Sequence, residues 1–100
     1  MSNLTIIFVC GAGLGSSFAA QMATEDVLKA KGIDAKLDHT DISSAASTKA
    51  DIIITAENFR PQFAKFNISE QTAVVYLKNI VSKAEIDEKL SPILQQKGLL

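Results

Sequence analysis

The chain has 100 residues, enough for one domain with a single sizeable core and too few for two. Ten basic residues against eleven acidic ones give a net charge of -1, so nothing in the charge suggests a nucleic acid or an anionic membrane as partner. No apolar run approaches the roughly 20 residues that cross a bilayer, and no signal peptide pattern is visible. The lone cysteine cannot form an internal disulfide, which suits a cytoplasmic location.

The first part of the chain alternates strand and helix patterns. Residues 4–9 are a short apolar, β-branched run before Gly11, which predicts a strand buried on both faces. From Ser16 onward apolar residues recur at spacings of three and four, which predicts an amphipathic helix closed by Gly32. Residues 33–40 alternate apolar and polar side chains, as in an edge strand. The apolar face predicted for the helix comprises Phe18, Ala19, Met22, Ala23, Val27 and Leu28.

Two more buried strands are predicted, at residues 51–56 and 72–77, because both runs are almost entirely apolar. Between the edge strand and the first of these runs, residues 41–48 fit either a short helix capped by Asp41 or a loop.

Two proline positions shape the remaining helices. In residues 57–66, Pro61 disfavours helix at Arg60 and favours a short helix that begins at the proline itself. Near the C-terminus Pro92 predicts either a kink or a new helix capped by Ser91. The apolar face of that last helix comprises Ile86, Leu90, Ile93 and Leu94.

This alternation predicts an α/β fold, with a four-stranded parallel sheet covered by helices on both faces. Three apolar strands and one alternating strand fit the order 2-1-3-4, with the second strand at the edge. Ligands of such sheets bind at the carboxyl ends of the strands, where the winding reverses. In this order the reversal lies between strands 1 and 3, so the turn that begins at Cys10 lies at the expected ligand site.

The turn after strand 1 reads CGAGLGSS, and it combines features that favour an oxyanion. The glycines leave backbone N–H groups unobstructed, the serines add hydroxyls, and the helix N-terminus adds a positive field. Such an arrangement binds phosphate and favours thiolate over thiol. We therefore expect Cys10 to be a nucleophile of low pKa. The residues expected to bind the phosphate are Gly11, Ala12, Gly13, Leu14, Gly15, Ser16 and Ser17.

Three known phosphate loops can be compared with this spacing. A nucleotide-binding P-loop requires a Gly-Lys-Ser/Thr end, and the turn has no lysine. A dinucleotide fingerprint requires Gly-x-Gly-x-x-Gly, whereas here the glycines alternate; Asp38 stands where the ribose-binding acid would be. A low-molecular-weight tyrosine phosphatase has five residues between its cysteine and an arginine, and Ser16 stands at that position instead. Without an arginine to stabilise the transferring phosphoryl group, the turn fits a carrier better than a hydrolase.

These residues resemble a known family. FVCGAGLGSS within a four-stranded α/β pattern is similar to the IIB component of the bacterial phosphoenolpyruvate-dependent sugar phosphotransferase system, over the whole chain. The ascorbate type is the most similar, with galactitol and lactose/cellobiose relatives close by. The resemblance implies one IIB-like domain over residues 1–100, with Cys10 phosphorylated by a histidine of the IIA component. It implies transfer of that phosphate to a sugar bound by the membrane component IIC. We expect no metal and no other cofactor.

Several other polar residues fall near the same predicted edge, and for each a surface role is at least as plausible as a role at the site. They are Glu57, Asn58, Arg60, Lys78 and Asn79. His39, the only histidine, is expected to be a solvated residue of the edge strand. Phe59, Phe63 and Phe66 are expected to pack on the core as one helical face. Three hypotheses remain: a phosphocarrier, a small cysteine-dependent phosphatase, and a regulator that binds an anion without catalysis.

Overall fold

The computed structural model describes residues 4–9, 14–68 and 70–99, and it describes residues 14–17 by their backbone alone. Four strands form one parallel sheet in the order β2-β1-β3-β4, as predicted. Their bounds are β1 Leu4–Val9, β2 Ala35–Thr40, β3 Ile52–Ala56 and β4 Ala73–Leu77. Strand β2 lies at one edge and exposes alternate residues, which confirms the expectation from its sequence.

Each strand is followed by a helical segment that returns the chain to the start of the next strand, or, after β4, ends it. The helices are α1 Leu14–Ala30, α2 Ile42–Ser47, α3 Arg60–Phe63 and α4 Lys83–Gln96, and a 3₁₀ turn at Glu57–Phe59 precedes α3. After α1 the chain turns at Gly32, which has a φ of 71°. Glycine adopts this left-handed conformation without steric cost, which explains the abrupt end of α1.

The sheet carries one apolar layer on each face, because successive residues of a strand point to opposite sides. Helices α1 and α4 cover the larger layer, and the segments around α2 and α3 cover the smaller one. In β1, Ile6 and Phe8 belong to the larger layer while Ile7 and Val9 belong to the smaller. All four are at most 4% exposed, so β1 is buried on both faces as predicted.

The apolar face predicted for α1 was partly wrong. Phe18 and Met22 are 60% and 64% exposed, and Ala19 is exposed as well. The buried stripe is made of small and medium residues: Ala20, Ala23, Thr24, Val27 and Leu28. Ala20 and Ala23 lie in this stripe, and small side chains let a helix approach a sheet closely.

The short segment after β2 is a helix rather than a loop. Asp41 is its N-cap, with a carboxylate oxygen that accepts a hydrogen bond from the Ser44 N–H at 3.2 Å. Further bonds from the Ser44 and Ser43 side chains to the same carboxylate contribute to a lowered pKa for Asp41.

The expectation at Pro61 was wrong, and of the two alternatives at Pro92 the new helix is contradicted. Arg60 adopts helical backbone angles although Pro61 follows it, because the preceding 3₁₀ turn already holds its N–H against the Glu57 carbonyl. The last helix does not restart at Ser91 either. The Ser91 hydroxyl instead donates to the Asp87 carbonyl oxygen at 2.8 Å, one turn earlier in a helix that runs on to Gln96.

Candidate functional site at the carboxyl edge of the sheet

The carboxyl ends of the four parallel strands lie along one edge, at Val9, Thr40, Ala56 and Leu77. The central strand β1 pairs with β2 on one side and with β3 on the other. The chain reaches β2 through α1, whereas β3 lies on the opposite side of β1. The winding therefore reverses between β1 and β3, which is where sheets of this kind bind ligands.

Four residues, 10–13, connect β1 to α1, and they lie outside the described residues. The roles predicted for Cys10, Gly11, Ala12 and Gly13 therefore remain predictions. The backbone of residues 14–17 forms the first turn of α1. The N–H groups of a first helical turn have no partner within the helix, and they carry its positive field. This turn therefore has the donors that an oxyanion requires.

The other strand-to-helix turns at this edge each contain an acidic residue near the start of the following helix. Asp41 caps α2, Glu57 lies in the first turn of the 3₁₀ segment, and Glu85 lies in the first turn of α4. The turn between β1 and α1 has none, and the sequence contains no Asp or Glu from residue 6 to residue 24. No acidic side chain of its own segment is therefore placed to neutralise this helix end.

The turn between β4 and α4 shows how such donors are satisfied from within the chain. The Glu85 carboxylate accepts the N–H groups of Lys78 and Asn79 at 2.7 and 2.9 Å. These two bonds, with a smaller contribution from Lys89, lower the pKa of Glu85 to about 2. Lys78 and Asn79 therefore contribute backbone donors to a closed structural turn. Sequence reasoning missed Glu85, although its position three residues after Ser82 is the signature of a capping box.

His39 is not the solvated residue that was expected. Its register places it opposite Phe8 of β1, and its ring lies 5.8 Å from that of Phe8 and 5.4 Å from that of Phe18. Its Nε2 contacts the Gln21 side-chain oxygen. The ring is thus half-buried against the first half of α1, because the edge strand is covered there by the helix.

Arg60 lies at the same edge, after β3, but its charge is directed along the sheet toward β4. The guanidinium carbon lies 4.0 Å from the centre of the Tyr76 ring, a cation–π contact. Phe63 packs edge-on against the same ring, with the ring centres 5.9 Å apart. Phe63 is buried and Phe59 packs beside it, so the core role predicted for these two residues is confirmed. Phe66 lies beyond the end of α3 and is only half-buried.

Thr55 is a residue that sequence reasoning passed over. It is the penultimate residue of β3, it is fully buried, and its hydroxyl lies 2.6 Å from the Val9 carbonyl oxygen. Val9 is the last residue of β1 and directly precedes Cys10. The one polar residue in the apolar run IIITA was the available signal.

Two large apolar side chains near the start of α1, Phe18 and Met22, are more than half exposed. Phe18 leans over His39, and Met22 follows one turn later on the same exposed side. A third exposed apolar side chain, Val81 at 46%, lies in the turn after β4. Singly exposed apolar residues are common on proteins, but Phe18 and Met22 adjoin the helix end described above.

Among the described residues, no three His, Cys, Asp or Glu side chains converge in a way that would hold a metal ion. None of the helices in the described ranges combines the length and the apolar character that a bilayer crossing requires.

Comparisons with known proteins agree with the resemblance seen in the sequence. A family model described as "PTS system, Lactose/Cellobiose specific IIB subunit" matches residues 5–92. The chain is also similar to the "Ascorbate-specific PTS system EIIB component" of Mycoplasma pneumoniae (strain ATCC 29342 / M129 / Subtype 1), with 30% identity over 94 residues. That alignment covers 92% of this chain and 96% of the relative.

The family match thus spans the sheet except for Leu4, and the larger part of α4, and it includes the acid-free segment after β1. Proteins of this kind act as phosphotransferases in sugar uptake, which agrees with a strand-and-helix edge suited to phosphate. The chain belongs to the IIB components of the sugar phosphotransferase system.

Proposed function

We propose that this protein is a single-domain phosphocarrier that takes a phosphoryl group onto Cys10 and passes it to a sugar during uptake. The observation that carries the proposal is the turn between β1 and α1. In this chain of the IIB family, the turn follows a central strand at the carboxyl edge. It joins a cysteine to a helix N-terminus and contains no acidic residue.

The first step is an exchange of bonds at phosphorus. The Cys10 thiolate attacks the phosphorus of a phosphohistidine on the IIA component. The P–S bond forms as the P–N bond breaks, and the imidazole leaves with the electron pair. The positive field of the α1 N-terminus favours both the thiolate and the incoming phosphate, since both are anions.

The phosphate cradle in this proposal runs from Gly11 to Ser17. The first-turn N–H groups of α1 and the unobstructed glycine N–H groups bind the phosphate oxygens, and the serine hydroxyls add further donors. No acidic side chain of the segment competes for these donors. The cradle requires no metal or other cofactor, because backbone and hydroxyl donors provide the charge stabilisation.

In the second step a sugar hydroxyl held by the membrane component IIC attacks the same phosphorus. The P–O bond forms, the P–S bond breaks, and Cys10 returns to the thiolate while the hydroxyl proton passes to a base. The similarity to an ascorbate-specific relative supports ascorbate as the sugar. A reactive thiophosphate and a lone cysteine fit the reducing cytoplasm.

Hydrolysis is the competing outcome for a phosphocysteine. A phosphatase would have an arginine where this chain has Ser16, and the only arginine, Arg60, stacks on Tyr76. No described observation favours the phosphatase reading. The turn is therefore suited to hold the phosphate until the sugar arrives.

The decisive experiment is phosphorylation with the donor components, followed by intact-mass measurement. The wild type should gain one phosphate with the lability of a thiophosphate, and Cys10→Ser should gain none and should support no sugar phosphorylation. Cys10→Ser that still supports sugar phosphorylation would refute the proposal. Steady turnover of an aryl phosphate by the wild type would favour the phosphatase, and full biological activity of Cys10→Ala would favour a regulator.

A further inference from the structure

The last residue of β1 is hydrogen-bonded to the neighbouring strand β3 through one buried side chain. Thr55 has no exposed surface, and its Oγ1 donates to the Val9 carbonyl oxygen at 2.6 Å. The two residues are direct partners in the parallel register of β1 and β3. The bond therefore crosses between the two strands that flank the point where the winding reverses.

A hydroxyl at this position is not required for packing. Thr55 shares its strand face with Ile53 and abuts the layer that contains Ile7 and Val9, all buried and apolar. Valine has the same branched shape and a high preference for strands, so it would fill this space equally well. Burying a hydroxyl instead carries a cost that only its hydrogen bond offsets.

The other fully buried threonine provides the contrast. Thr24 donates to the Ala20 carbonyl at 2.9 Å, which lies four residues back in the same helix. That bond is local and returns to a carbonyl already within α1. The Thr55 bond instead joins residues 46 positions apart, and its acceptor carbonyl belongs to the peptide unit that leads into Cys10.

We propose that Thr55 is a positioning residue for phosphoryl transfer. The Val9 carbonyl and the Cys10 amide are parts of one planar unit, so holding the carbonyl also limits the direction in which the chain leaves β1. Thr55 thereby aligns the start of the phosphate turn with the N-terminus of α1. It acts through the backbone and does not touch the phosphate; this role rests on the proposed function of Cys10.

The test compares variants that differ by the hydroxyl. Thr55→Val removes the donor and keeps the shape, whereas Thr55→Ser keeps the donor. Thr24→Val removes the other buried hydroxyl and serves as the matched control. For each protein we would measure the pH dependence of Cys10 alkylation by iodoacetamide, and kcat/KM for phosphoryl transfer from the phosphorylated IIA component.

We expect Thr55→Val to raise the midpoint of the alkylation profile by about half a pH unit to one unit, because the thiolate loses its alignment with the helix field. Transfer should fall about tenfold, as small misplacements of reacting groups do. Thr55→Ser should stay within about twofold of the wild type in kcat/KM. Thr24→Val should leave the alkylation profile unchanged even where it lowers stability.

The inference would be overturned by a Thr55→Val protein whose alkylation profile and transfer rate match those of Thr24→Val. If Thr55→Val does not fold, Thr55→Ser and Thr55→Ala give the same comparison, and equal profiles would again refute it. The alkylation measurement does not depend on phosphate transfer. A wild type that accepts no phosphate therefore refutes the proposed function. The effect of Thr55 on Cys10 is judged separately, from the alkylation profiles.

Discussion

The turn after β1 and the turn after β4 both connect a strand to a long helix, but they differ in their acidic residues. Both leave a parallel strand at the carboxyl edge of one sheet and lead into one of the two long helices, which share the same face. The β4 turn contains its own anion, since Glu85 accepts the N–H groups of Lys78 and Asn79. The β1 turn has glycines and serines and no acid.

Under the proposed function, one kind of structural element provides stability after β4 and a binding site after β1. In the β4 turn the carboxylate satisfies the backbone donors permanently, and Ser82 adds a cap to the helix at 3.3 Å. After β1, the N–H groups of the first turn of α1 have no acidic residue from their own segment beside them, so an external anion can bind to them. The absence of an acidic residue is therefore as informative as the presence of the cysteine.

The largest effect should come from making the β1 turn resemble the β4 turn. Ser16→Asp places a carboxylate in the first turn of α1, where it competes with phosphate for the same donors. We expect phosphorylation of Cys10 to fall by about a hundredfold or more, as loss of oxyanion stabilisation does. Thermal stability should stay equal or rise, because an acid at a helix N-terminus contributes about 0.3–1 kcal/mol.

Ser16→Asn is the matched control, because it has the size of aspartate without the charge. It should retain far more transfer than Ser16→Asp. Equal losses in the two variants, measured by intact mass after incubation with the donor, would mean that size and not charge disturbs the turn. Retained transfer in Ser16→Asp would contradict the comparison itself.

The reverse change, opening the β4 turn, should affect stability and spare function. Glu85→Gln removes the charge that binds two backbone donors, and we expect a loss of about 1–2 kcal/mol in the free energy of unfolding. Transfer should stay within about twofold of the wild type at a temperature where both proteins are folded. Urea denaturation and donor assays measure the two outcomes separately.

The Glu85 carboxylate also makes the stability of the fold depend on pH. The folded pKa of Glu85 is about 2, below the ordinary value of 4.5 for a glutamate, because its carboxylate accepts two backbone N–H groups. A depressed carboxyl pKa stabilises the fold above the unfolded value, and that contribution is lost as pH falls from about 5 toward 2. Glu85→Gln should therefore show a shallower loss of stability over this range. Parallel curves for the two proteins would show that other carboxylates, such as Asp41, dominate acid unfolding.

The sheet could be predicted from the sequence because its strands are plainly marked. Apolar runs with abrupt polar ends and one alternating strand leave few topologies once crossovers are right-handed. The direction of the α1 face could not be predicted in the same way. Apolar residues at spacings of three and four lie on both sides of α1, and the fit of Ala20 and Ala23 against the sheet decided which side is buried.

The candidate site shows the same division. Its place at the edge follows from strand order, and its chemistry from local sequence. The contacts of Thr55 with Val9 and of His39 with Gln21 depend on which residues of distant segments meet. A contact such as Thr55 to Val9 joins two strands through a side chain whose neighbours in sequence are all apolar, so no local pattern reveals its partner.

The smallest effect should come from the outer surface of the two turns. Phe18 and Met22 are exposed beside the β1 turn, and Val81 is exposed in the β4 turn. In the proposed transfer a phosphohistidine comes within bonding distance of Cys10, so we expect the donor protein to cover the start of α1. Exposed apolar side chains at that place suit a transient interface of modest area.

We therefore expect Phe18→Ala combined with Met22→Ala to raise KM for the phosphorylated IIA component about three- to tenfold, with kcat changed less. Val81→Ala should leave KM within about twofold of the wild type, since Val81 lies in the turn after β4, which is two strands away from β1. An equal rise in KM for Val81→Ala would show that docking extends along the whole edge. In that case the donor protein would contact both turns, while only the turn after β1 would accept its phosphoryl group. The two turns would then differ in phosphate binding but not in docking.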